Sequence, residues 1–270
     1  MFDAGLSMGK YAWNERRGEI MKKLSNSTAN FTDSVIRRMT RVANQYGAIN
    51  LSQGYPDFDP PKEITDRLAQ VAISGPHQYA LTWGAQNFRE SLARKQEHFS
   101  GMKIDPDKEI VVTCGSTEAM MASMLSVCNP GDKVIVFSPF YENYGADAIL
   151  SNAQPIYVPL NPPAFDFDAN VLEDAMKQEG VKALILCNPS NPCGKVFTRE
   201  ELQIIANLAI KYDIYVITDE VYEHIVYAPN QQLERLAEIG RMKKQNDCYG
   251  APFYRVHFCV YVPFFIRHNT

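Results

Sequence analysis

Four segments of this chain set polar side chains directly behind apolar runs rich in β-branched residues. Cys114-Gly115-Ser116-Thr117-Glu118 follows EIVVT, and Ser138-Pro139-Phe140-Tyr141 follows KVIVF. NPSNPCGK, from Asn188 to Lys195, follows VKALILC, and Asp219-Glu220-Val221-Tyr222 closes IYVITD. Gly115, Ser116 and Thr117 open a helical stretch, so free backbone N–H groups, two hydroxyls and the positive end of a helix dipole converge on one point, a cradle for phosphate. A helix cap at Ser116 is the plainer role. Asp219 ends an apolar strand, where a carboxylate is costly unless it meets a cationic or hydrogen-bonding partner, and a protonated ring nitrogen would suit it. Helix capping is its plainer role. Tyr222 lies three residues on, one helical turn away, able to bring its hydroxyl to the same ligand or simply to fill core. The two Asn-Pro steps around Asn191 favour extended, turn-forming backbone that would hold an amide rigidly, or merely make a tight loop. Tyr141 or its neighbour Phe140 could lie flat on an aromatic ligand, or pack inside.

The elements that carry these segments are legible from periodicity. EIVVT, KVIVF, PIYVPL, VKALILC and IYVITD read as strands. The gaps holding ASMLSV, NYGADAIL, ANVLEDAMKQ and REELQIIANLAIKY are helical in period. Near-continuous apolar strands alternating with helices define an α/β fold, a mostly parallel sheet with helices on both faces. Ligands of such sheets bind at the carboxyl ends of the strands, where the four segments fall. Ahead of residue 107 lies a non-repetitive section: a helix from Ser27 to Gly47 with Phe31, Val35, Met39 and Val42 on one face, an irregular INLSQGYPDFDPP, and helices KEITDRLAQVAIS and GAQNFRESLARKQEHF flanking HQYALTWG.

Composition bounds the function. At 270 residues, 46% hydrophobic and 21% charged, the chain suits a globular protein with a sizeable core. A net charge of -4 with scattered Lys and Arg offers no nucleic-acid footprint. Six cysteines at wide spacing form no CxxC pair, so neither a zinc site nor a disulfide framework is indicated, and a reducing cytoplasmic setting is expected. The first twenty residues lack a signal-peptide core, and no membrane span is expected.

Taken together and in order, INLSQGYPDF, QYALTWG, GSTEA, SPFYENY, NPSNPCGKVFTREEL and ITDEVYEHIVY resemble the class I and II aminotransferases of the pyridoxal-phosphate fold type I group, particularly the kynurenine, glutamine and methionine aminotransferase subgroup. The resemblance covers residues 31–229, about three-quarters of the chain. It implies pyridoxal 5'-phosphate (PLP) as cofactor, α-amino acid and 2-oxo acid substrates, and a homodimer. By resemblance, Gly115, Ser116 and Thr117 bind the cofactor phosphate and Tyr141 stacks on the pyridine ring. Asp219 keeps the ring nitrogen protonated, and Asn191 and Tyr222 bond the phenolic oxygen. Gly54 and Asn191 line the substrate site, and Tyr79 reaches the phosphate of the partner subunit. Cys193 stands where the family often has Thr, a change expected to matter little.

The resemblance implies four stretches: an N-terminal extension (1–30), an N-terminal segment (31–106), a PLP-binding large domain (107–229) and a tail outside the family pattern (230–270). In the family a Schiff-base lysine follows the tyrosine matched by Tyr222, within Ser-x-Ser-Lys, combining covalent and acid/base roles. No such segment occurs in this sequence. Lys243 and Lys244 have no serine before them and lie too close to Tyr222. Lys244 keeps the family's interval to Gly250, but Pro252 replaces the expected arginine, so the match is read as coincidence. The fold is therefore expected to be incomplete on its C-terminal side and the chain to have little or no activity. Within the tail QQLERLAEIGRMKKQ reads as a helix, and residues 255–262 alternate as a strand would, able to substitute for one missing from the sheet. Other readings are a catalytically dead module that binds PLP or pairs with a complete subunit, and a carbon-sulfur lyase on the same scaffold.

Overall fold

The computed structural model describes residues 34–54, 56 and 58–227, with Ser25 and Leu236 besides. The expected extension at the front, Phe31, and the expected strand over 255–262 lie outside the described residues. The molecule falls into two compact units divided between His77 and Gln78, upstream of residue 107, where the sequence changes character.

In the first unit, α1 spans Val35–Tyr46 and α2 spans Lys62–Ser74. Helix α1 is capped by Ser34, whose hydroxyl accepts the Arg37 N–H at 3.2 Å and satisfies one of the orphan donors of the first turn, while Ser27, the expected start, lies outside the described residues. The expected stop at Gly47 holds: its φ of 59° is left-handed, and its N–H returns to Ala43 and Asn44 carbonyls. Asn50 Nδ2 donates to Thr40 Oγ1 at 3.0 Å, tying the following loop back to α1.

The second unit holds α3 (Gln86–Ser100), α4 (Gly115–Val127), β1 (Lys133–Ser138), α5 (Asn143–Leu150), β2 (Gln154–Pro159), α6 (Ala169–Met176), β3 (Val181–Cys187), α7 (Arg199–Lys211) and β4 (Tyr215–Asp219). The strands form one sheet in the order β2-β1-β3-β4, every pair parallel. Because side chains alternate across a strand, the β1 run sorts itself between two cores. Ile135 and Phe137 join Leu184, Leu186, Leu172, Leu202 and Ile205 on the α6–α7 face. Val134 and Val136 join Ala183, Ile185, Ile217, Met120 and Met124 on the α4–α5 face. This is the expected parallel sheet with helices on both faces. Leu236, helical and 1% exposed, belongs to the α6–α7 core although it lies in the tail.

One expected strand is absent. Residues 109–113, EIVVT, are irregular backbone, Val111 is exposed, and the Val112 N–H donates to the Trp83 carbonyl at 3.0 Å rather than into a ladder. A β-rich run becomes a strand only beside a pairing partner, and no described strand lies along it. The loop is fixed instead by close approach. Gly84, at φ 102°, would bring a Cβ to 2.4 Å from a Val112 methyl, and only glycine fits there.

Candidate active site

The carboxyl ends of β1, β3 and β4 meet the first turns of α4 and α5, and the sequence-selected residues gather there. Asp219 ends β4, is 6% exposed, and lies opposite Cys187 in the β3–β4 register. One carboxylate oxygen accepts the Tyr144 hydroxyl at 2.8 Å and the other accepts the Val221 N–H at 3.1 Å. Burial pushes its pKa above the usual carboxylate range, and these two hydrogen bonds oppose that shift. Asp219 thus uses its carboxylate on Tyr144 and on its own turn, and caps no helix among the described residues.

Tyr222 follows in the turn beyond β4, and Asn191 Nδ2 donates to its hydroxyl at 3.5 Å, the outer limit of such a bond. Burial raises the Tyr222 phenol as well. The Asn191 loop is held at both ends. Asn188 Oδ1 accepts the Phe197 N–H at 3.1 Å, and the Ser190 N–H donates to the Lys195 carbonyl at 2.8 Å. Lys195 bridges Asp166 and Glu201 at 2.6 and 2.7 Å, while Glu201 and Thr198 complete a reciprocal cap on α7. The turn carrying Tyr222 is anchored by Glu223, which pairs with Lys95 of α3.

At the start of α4, Gly115 has φ 81°, a left-handed turn into the helix that an L side chain rarely adopts. The cap residue is Cys114, not Ser116, and it makes no side-chain cap bond; instead the Glu118 carboxylate accepts the Cys114 N–H. Ser116 therefore sits inside the first turn with its hydroxyl uncommitted to a cap. Thr117 Oγ1 accepts from Asn143 Nδ2 at 3.1 Å, which joins the α4 and α5 first turns.

Tyr141 is half-buried, its ring edge-on to Tyr144 with centroids 5.9 Å apart and planes at 80°. Phe140, the alternative stacking ring, is taken by Tyr157, 5.0 Å away and nearly parallel. Two expected residues are solvent-exposed. Tyr79 is fully exposed with no described side-chain partner, and Gly54 is exposed in the first unit. Residue typing missed Tyr144 and Asn143, although Tyr144 falls one helical turn after Tyr141, the one signal that pointed to it. Among the described residues no His, Cys, Asp and Glu group could hold a metal, and no helix is long and apolar enough to cross a membrane.

A family model for "Aminotransferase class I and II" matches residues 46–247. The chain belongs to that family. It is 34% identical over 231 residues to a probable N-succinyldiaminopimelate aminotransferase of Mycobacterium tuberculosis, covering 82% of this chain and 58% of the relative. It is 36% identical over 206 residues to human kynurenine–oxoglutarate transaminase 3, covering 72% and 45%. The solved structure of a methionine aminotransferase from Escherichia coli superposes with a TM-score of 0.73 at 35% identity, covering 77% of this chain and 55% of that one. The chain thus spans about half the length of the relatives it matches.

The family's cofactor is pyridoxal 5'-phosphate, and the residues present fit it. Among the described residues, a desolvated acid stands at a strand end with no cationic partner in hydrogen-bond range. Beside it are a half-buried ring, an amide–phenol pair and a glycine-led helix N-terminus.

Proposed function

We propose that this site binds PLP and serves transfer of an amino group from an α-amino acid to a 2-oxo acid. Asp219 carries the reading: a carboxylate buried at a strand end, held by two donors, is suited to hold a protonated pyridine nitrogen. Bound there, PLP supplies an electron sink for the charge left at the amino acid's α-carbon. Gly115, Ser116 and Thr117 would bind the phosphate through first-turn N–H groups and hydroxyls, since an α-helix leaves those donors unpaired. Tyr141 would lie against the ring, and Asn191 and Tyr222 would donate to its phenolic oxygen. Gly54 would line the substrate carboxylate site, and a second copy of the chain would receive Tyr79.

The lysine that would join PLP covalently has no counterpart in the 270 residues, which keep none in a Ser-x-Ser-Lys setting after Tyr222. We therefore propose that these residues hold the cofactor by non-covalent contacts and by themselves transfer little or no amino group. Titrating the purified chain with PLP, followed by borohydride reduction and peptide mapping, tests both parts. Saturable binding weakened by Asp219→Asn, with no lysine labelled, is the expected result. Absence of saturable binding overturns the cofactor reading, and a labelled lysine overturns the non-covalent one.

A further inference from the structure

We propose that Tyr144 is a positioning residue, whose phenol holds the Asp219 carboxylate ionised and in place for the cofactor's ring nitrogen. The inference rests on the PLP reading of the site and goes beyond the residues that reading assigns. Tyr144 is 3% exposed, on the first turn of α5, and its hydroxyl lies 2.8 Å from Asp219 Oδ2. A phenylalanine would fill the same volume, so the hydroxyl is explained by the bond it makes. Asp219 Oδ1 meanwhile accepts the Val221 N–H at 3.1 Å. Each oxygen of a carboxylate accepts about two hydrogen bonds. With one position filled on each, the group is oriented yet keeps capacity for a further donor.

The surroundings make this bond matter. The titratable groups facing Asp219 are Cys187 on β3, Tyr144 on α5 and Tyr222 in the turn beyond β4. On the same face α4 contributes the apolar Met120 and Met124. Among the described residues no cation pairs with Asp219 to hold the carboxylate charged. Burial, Cys187 and Asp219 itself hold the Tyr144 phenol well above its ordinary range, so it stays protonated and acts only as donor toward the acid. A hydrogen bond donated to a charged group favours the charged form and is stronger than one between neutral groups. An ionised Asp219 is the form that can accept from a protonated ring nitrogen.

Tyr144 also ties Asp219 to the rest of the site. Its ring meets Tyr141 edge-on, and the preceding residue, Asn143, bonds Thr117 at 3.1 Å. The first turn of α5 therefore touches the acid, the stacking ring and the phosphate cradle together, and a shift of that turn displaces all three.

The test uses the full chain with its aspartates labelled at the carboxyl carbon, so that Asp219, assigned by its disappearance in Asp219→Asn, can be titrated by NMR with and without PLP. In the ligand-free chain Tyr144→Phe should raise the Asp219 midpoint by about one pH unit or more. Replacement of Tyr144 by 3-fluorotyrosine keeps the shape, strengthens the donor, and should lower it. With PLP, Tyr144→Phe should weaken binding about tenfold at pH values below both Asp219 midpoints and progressively less as pH rises past the new one. In an Asp219→Asn background it should change affinity less than about twofold. A purely packing role for Tyr144 would leave the midpoint unmoved by either replacement, or would weaken PLP equally in both backgrounds, and either result overturns the proposal. If Tyr144→Phe does not fold, the fluorotyrosine protein decides. If the unaltered chain does not bind PLP, the cofactor reading fails while the carboxyl titration still decides what Tyr144 does.

Discussion

In the sheet region Ile135, Leu184 and Ile217 have no exposed surface, whereas in the segment before His77 Leu51, Leu68 and Ile73 are 91%, 69% and 85% exposed. The two regions draw on similar residues with opposite outcomes. Strands β1, β3 and β4 lie between two helical layers, so every apolar side chain finds a core. Helix α1 buries only Ala43 and α2 buries nothing. Helices of 12 and 13 residues gain little from propensity alone and depend on packing an apolar face. The sheet thus draws its stability from buried apolar contacts, and the helices before it draw little from theirs.

The sharpest way to break that contrast is truncation in each region. Leu184→Ala should cost about 3–5 kcal/mol in urea unfolding, the sum of lost transfer energy and the cavity left behind. Leu68→Ala should cost under about 0.5 kcal/mol in the monomer. Equal losses would show that α2 packs as tightly as β3. A smaller effect tests how completely the α4–α5 face excludes water. Asp147 on α5 is buried with one carboxylate oxygen unpartnered, and burial lifts its pKa to about 6 from 3.8. Its folded form therefore holds a proton that the unfolded chain releases earlier. Stability is highest below about pH 4 for this group and is lost as pH rises through about 6. Asp147→Asn should flatten that slope and raise stability at pH 8 by about 1–2 kcal/mol. An unchanged slope would show that water already reaches the carboxylate.

Helix caps sharpen the comparison further. Thr198→Ala removes one half of the reciprocal cap of α7, whose inner face lies in the core, and should cost about 1 kcal/mol of global stability. The matching Ser34→Ala should leave the cooperative transition unchanged and loosen only α1, visible as faster amide exchange near Arg37. The smallest effect belongs to the surface. Lys62→Ala breaks the exposed pair with Asp66 and should change stability by less than about 0.5 kcal/mol, and less still in high salt.

Most of the sheet was legible because its information is local. VKALILC became β3 and NYGADAIL became α5 with the bounds their periodicity implies. EIVVT did not become a strand, because a ladder needs a neighbour and propensity does not say whether one is present. The site divides the same way. Asp219, Asn191, Tyr222 and Tyr141 could be singled out by position at strand ends. Tyr144 could not, since its value lies in a partner 75 residues away. By spacing alone it is an aromatic on the buried side of a helix. The bland role for Ser116 also needed the structure, which places the cap two residues earlier, at Cys114.

Among the described residues β4 pairs only with β3, so its other side carries backbone groups without a ladder partner. Asp219 is its last residue. The acid on which cofactor binding is proposed to depend therefore ends one of the two edge strands of the described sheet, where an unpaired side leaves the strand open to fraying. Local opening of β4 needs less free energy than global unfolding. Release of bound PLP should then track amide exchange in Tyr215–Asp219, with a lifetime set by one strand while the rest of the sheet stays closed.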